Sequence, residues 1–105
     1  MAQFDVHRNP GRLKIAIPYV VVVQSAIFDA SRHRVVAPLV SRQEAVALNP
    51  RFNPVFVVEG REVVLHPLEM TAIPAERLGE PVASLAAHGD DIIAAVDELL
   101  TPAYG

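Results

Sequence analysis

The sequence predicts a mainly β domain with one C-terminal α-helix, and three observations carry that prediction. The run Tyr19-Val20-Val21-Val22-Val23 concentrates β-branched residues, which lose side-chain freedom in a helix and pack well on a pleated sheet. Two further apolar runs flank Glu59-Gly60-Arg61, the spacing of a tight hairpin. Only after Gly89 do apolar residues recur with helical spacing, at Ile92, Ile93, Val96, Leu99 and Leu100. Hairpin-type connections favour antiparallel pairing, so the sum is a small twisted antiparallel sheet or partly open barrel, closed by the last helix.

Each element follows from local chemistry. Gln3-Phe4-Asp5-Val6 alternates polar and apolar, the period of a half-buried strand, and Asn9-Pro10-Gly11 turns the chain. A central strand lies within Ile15 to Gln24; Pro18 has no N–H to donate, so its pairing begins beyond that residue. The polar loop Asp29-Ala30-Ser31-Arg32-His33 leads to a strand over Arg34 to Leu39 and completes a long hairpin. Residues 41–54 form a connector, because Asn49-Pro50 and Asn53-Pro54 allow at most a brief helix around Gln43 to Leu48. Val55 to Val58 and Glu62 to Leu65 make the tight hairpin, with Gly60 supplying positive φ. Pro67, Pro74 and Pro81 exclude a long helix between them and leave Met70 to Ile73 as a last strand. The helix runs from about Asp91 to Leu100, with Asp90 and Asp91 at the positive end of its dipole. Pro102 ends it and leaves the tail Thr101-Pro102-Ala103-Tyr104-Gly105.

Composition excludes several classes of function. A chain of 105 residues, 51% hydrophobic, suits one domain over 1–105 with an ordinary core. The absence of cysteine excludes a disulfide framework and a thiolate metal site, and makes a reducing compartment the default. The longest apolar stretch, Ile15 to Val23, contains Pro18 and falls far short of the ~20 residues of a membrane span. The first residues lack the basic start and apolar middle of a secretory signal, so a cytoplasmic protein without membrane contact is expected. A net charge of −3 argues against tracking a phosphate backbone, and direct nucleic-acid binding is not expected.

No constellation of catalytic residues emerges. His7, His33, His66 and His88 are dispersed without paired-ligand spacing, so neither a metal site nor a cofactor is expected. His66 and Glu69, with Pro67 between, read as solvated surface, and Asp90-Asp91 reads as helix capping. Ser25, Ser31, Ser41 and Ser84 stand in no nucleophile motif. Ser31-Arg32-His33-Arg34 reads first as a solvated loop; the alternative is two guanidiniums around an imidazole that grip an RNA phosphate or a carboxylate surface. The residues therefore point to a protein that binds and not to an enzyme.

Within this frame, Val23-Gln24-Ser25-Ala26-Ile27-Phe28-Asp29 followed by Arg34-Val35-Val36-Ala37-Pro38-Leu39 resembles the CcdB family of toxins. The likeness opens at Gln3-Phe4-Asp5-Val6 and continues through Asn53-Pro54-Val55, Met70-Thr71-Ala72-Ile73-Pro74, Leu78-Gly79-Glu80-Pro81-Val82-Ala83-Ser84-Leu85 and Asp91-Ile92, nearly the whole chain. The resemblance implies the SH3-like fold shared with MazF and Kid ribonucleases: a twisted antiparallel sheet, a small second sheet and a C-terminal helix. It also implies a cytoplasmic homodimer. Such toxins bind the A subunit of DNA gyrase, trap its cleaved DNA complex and are neutralised by a CcdA-like antitoxin.

Carried over residue by residue, the resemblance places Ser25 and Ile27 on the gyrase-facing surface. Gyrase-poisoning members end in Trp-Gly-Ile; here Thr101-Pro102-Ala103 stands at those positions, and Asp97 replaces an Asn. An aromatic residue followed by glycine recurs as Tyr104-Gly105, which makes these two the candidate shifted anchor. Two alternatives accompany the gyrase-directed toxin. One is a relative with lost or altered gyrase binding that still engages an antitoxin. The other is a MazF-like endoribonuclease with Arg32, His33 and Arg34 as phosphate contacts.

Overall fold

Strand β2 (Tyr19–Val22) is buried along its whole length, which accounts for its string of valines. The computed structural model describes residues 2–45 and 49–100. Pairing of β2 starts at Tyr19, directly after Pro18, as the missing N–H requires. On one side lies β1 (Asp5–Arg8), with Val6 opposite Val21. On the other lies β3 (His33–Ser41), with Tyr19 opposite Leu39 and Val22 opposite Val36. The hairpin β4 (Val55–Val58) and β5 (Arg61–Leu65) joins through β5 to the C-terminal end of β3.

With β7 (Ala83–Ser84) at one edge, the strand order is β4-β5-β3-β2-β1-β7, antiparallel throughout, and β6 (Thr71–Pro74) pairs the N-terminal half of β3 as a branch. The small second sheet implied by the family resemblance is represented by this branch, which belongs to the same seven-stranded sheet. Strand β7 (Ala83–Ser84), which no periodicity announces, adds to β1. β1 begins two residues later than the alternation of Gln3 to Val6 indicates. Phe4 has φ 71°, a left-handed conformation that residue type does not signal, and Ala2 to Asp5 close a turn before the strand starts. The turn of the β4–β5 hairpin holds positive φ at both central residues, Glu59 (51°) and Gly60 (77°), the geometry that matches strand twist.

Burial on both faces of β2 divides the interior in two. Tyr19, Val21, Leu39, Val63 and Leu65 form the larger cluster with Ile92 and Ala95 of helix α1 (Gly89–Leu100). Val20, Val22, Val36 and Leu78 form the smaller. His7, opposite Val20, is fully buried on the smaller cluster's side, where its Nδ1 donates to the Gly79 carbonyl at 2.8 Å. Asp90 and Asp91 occupy the first turn of α1, where the dipole favours negative charge.

The sheet curls until it is nearly a closed barrel, and Glu59 spans the gap. Its carboxylate accepts a hydrogen bond from the Tyr19 hydroxyl at 2.6 Å and pairs with the Arg8 guanidinium at 3.2 Å. Strands β1 and β2 are thereby tied to the turn of β4–β5, which is no neighbour of theirs in the ladder. Burial of Tyr19 raises its pKa above the usual 10.0, and the Glu59 carboxylate adds to the rise; Arg61, 6.0 Å from the ring centroid, opposes it.

Candidate functional site

Residues 23–32 leave the sheet between β2 and β3 and carry the most conspicuous surface feature that the sequence singles out. Ser25 opens a one-turn 3-10 helix, Ala26–Phe28, and its Oγ accepts a long hydrogen bond of 3.4 Å from the Ile27 N–H. Backbone bonds from Phe28 to Ser25, Asp29 to Ala26 and Ser31 to Phe28 tighten the turn. None of its three helical residues is buried: Ile27 is 81% and Phe28 58% exposed. Scattered single aliphatic residues on a surface need no partner to explain them. Here two large ones are adjacent on a fixed backbone.

Two polar side chains beneath the turn hold it. Gln24 accepts from the Val35 N–H at 3.1 Å and directs its amide nitrogen to the carbonyls of Phe28 and His33. Arg34, only 6% exposed, donates to the carbonyls of Asp29 (2.6 Å), Ser31 (2.5 Å) and His33 (3.0 Å). A guanidinium offers five donors in a rigid fork, and this one spends three on the loop's own backbone while its buried Nε makes no hydrogen bond. The Asp29 carboxylate lies 4.0 Å from its Nε and supplies the nearby counter-charge.

The structure thus brings Ser25 and Ile27 together on one preorganised turn. Tyr104 and Gly105, with Thr101 to Ala103, lie outside the described residues. Phe28, Gln24 and Arg34 belong to the same feature, and no local periodicity marks them in the sequence. The reading of Ser31 to Arg34 as a solvated loop holds for Ser31, Arg32 and His33 but not for Arg34, which faces inward. A phosphate approaching here meets Arg32 and His33 beside Glu76 in an open cleft of about 550 Å³, without the second guanidinium that a ribonuclease reading requires. His66 also departs from expectation, being half-buried with its Nδ1 enclosed.

Among the described residues no group of three or more His, Asp or Glu side chains could hold a metal ion. No helix among them is long and apolar enough to cross a membrane. Compared with known proteins, residues 3–102 match the model of the CcdB protein family. No curated protein matches the chain.

Proposed function

The chain belongs to the CcdB protein family, and from that premise we propose that it is the toxin of a type II toxin–antitoxin module that binds the A subunit of DNA gyrase and holds the enzyme with its DNA cleaved. It performs no reaction of its own. It acts in the cytoplasm as a homodimer and is neutralised by a CcdA-like antitoxin.

The observation that supports gyrase engagement is the Ile27–Phe28 pair on its fixed turn. Fully burying an Ile or Phe side chain contributes about 1.5–3 kcal/mol, so burying the exposed parts of these two contributes roughly 3 kcal/mol. A backbone already held by Gln24 and Arg34 loses little further freedom on binding, so most of that gain reaches the affinity. A homodimer presents the pair twice. Moving a two-state equilibrium from 1:99 to 99:1 takes a binding preference of about 5.5 kcal/mol, which two such pairs reach when the cleaved state of gyrase offers pockets that the resting state lacks. The poison therefore selects a conformation of its target.

The test is a supercoiling and DNA-cleavage assay with gyrase from the same host. Linear plasmid that forms only when both proteins are present is the expected result. Absence of linear product at ~100 μM toxin, where binding stronger than about −5.5 kcal/mol registers, would remove gyrase as the target and leave the antitoxin as the partner.

A further inference from the structure

We propose that a second site, at the end of β3 opposite the Ile27 turn, takes an arginine side chain presented by a partner peptide. A half-open pocket of about 310 Å³ lies there, with Ile17 and Val40 as apolar lining and Glu44, Glu69 and His66 as polar lining. It is distinct from the residues assigned to gyrase, and the inference is independent of that assignment.

Three features define the chemistry of the occupant. Neither Glu44 nor Glu69 takes part in an ion pair among the described residues, so two carboxylates of one pocket are without a cation. His66 Nδ1 is enclosed and has no hydrogen-bond partner, a cost that an incoming polar group removes. Ile17 and Val40 offer apolar surface of the kind on which the methylene stem of a long cationic side chain packs. A guanidinium carries five donors in a planar fork and serves separated acceptors at once, whereas an ammonium is a compact point charge; arginine fits this set better than lysine.

Exposed apolar neighbours of the lining residues along the chain point to a peptide as the source of that arginine. Ile15, 87% exposed, precedes the lining residue Ala16, and Leu68, 69% exposed, sits between His66 and Glu69. A free guanidinium compound leaves both aliphatic side chains in water. A chain with apolar residues on either side of its arginine covers them.

The experiment is an NMR titration of the isotope-labelled full chain with a capped pentapeptide that carries arginine between two leucines. The comparison ligands are the same peptide with neutral citrulline for arginine, and agmatine. The expected result is saturable shifts at His66, Glu44 and Glu69, with affinity at least about tenfold weaker for the citrulline peptide and in the Glu44→Gln/Glu69→Gln variant, since charge-assisted hydrogen bonds are the stronger kind. Both glutamates are exposed, so the variant keeps its fold, and an unchanged thermal melt serves as the check. Equal affinity of the two peptides, equal affinity of the variant, or no saturation by about 10 mM, a concentration that reveals binding weaker than −4.1 kcal/mol, would overturn the proposal. Agmatine binding as tightly as the arginine peptide would overturn the assignment to a peptide.

Discussion

The guanidinium of Arg34 donates to the carbonyl of Asp29 at 2.6 Å, so a charged side chain buried at the start of β3 fixes the turn that precedes that strand. Replacing it by methionine keeps the apolar stem and removes every donor. We expect Arg34→Met to cost about 2–4 kcal/mol in urea unfolding, since hydrogen bonds from charged groups contribute about 1.5–3 kcal/mol each and several are lost together. Amide exchange over residues 25–33 should accelerate more than in β2. Arg34→Lys should recover little, because one ammonium cannot reach three carbonyls. Unaltered exchange in the turn would show that Arg34 is not what holds it.

Ile27 and Phe28 should behave in the opposite manner. Both are exposed, so Ile27→Ser and Phe28→Ser should shift stability by no more than about 0.5 kcal/mol. Each should nonetheless reduce gyrase-dependent DNA cleavage at least tenfold, the equivalent of about 1.4 kcal/mol. Parent-like cleavage by the double variant would dismiss the turn as the contact.

Tyr19 gives a pH signature. Its folded pKa lies above the ordinary 10.0, so the neutral phenol is favoured in the native state. The associated stability is complete below pH 10 and is lost as pH rises through the higher folded value. Tyr19→Phe should cost about 1–2 kcal/mol at neutral pH, somewhat less than a fully buried charged bond because Glu59 can rehydrate. Its stability between pH 9 and 11 should also fall less steeply than that of the parent protein. Parallel curves would show that another group titrates there.

A methyl group at Gly89 would stand 2.6 Å from Cε2 of Phe4, whose ring packs against the larger core cluster. An aromatic ring anchored in this way cannot bend aside as the end of a long chain would. Gly89→Ala should therefore destabilise the protein by about 1–3 kcal/mol, in spite of a gain in helix propensity of up to about 1 kcal/mol. Phe4→Leu placed beside it should return part of the loss, and a calorimetric melt of the four proteins of the cycle measures the coupling.

Much of this was legible in the sequence, for identifiable reasons. Strands β2 and β3, the β4–β5 hairpin and helix α1 are announced by runs or periods long enough to exclude other states. β7 pairs only two residues, Ala83 and Ser84, and two residues have no period. His7 looked like one of four dispersed histidines; its burial follows from standing opposite Val20, a matter of register that no local pattern encodes. The apolar stripe of α1 is wider than its buried face, so Ile92 is enclosed while Ile93 is 39% exposed. At the candidate site, Ser25 and Ile27 came from the family resemblance. Phe28 and Arg34 needed the fold, because the direction of a loop side chain is set by neighbours distant in the chain.

The Glu59 bridge also bears on the order in which the molecule assembles. Its two partners are 40 and 51 residues away along the chain. Contacts of such separation are reached only after the intervening loops have closed, so this bridge forms late, on the native side of the rate-limiting barrier. Glu59→Ala should then speed unfolding severalfold while refolding keeps its rate within about a factor of two, as the two arms of a chevron plot report. The carboxylate at the hairpin tip works as a clasp that governs how long the folded toxin lasts and leaves the speed of its formation to the strands.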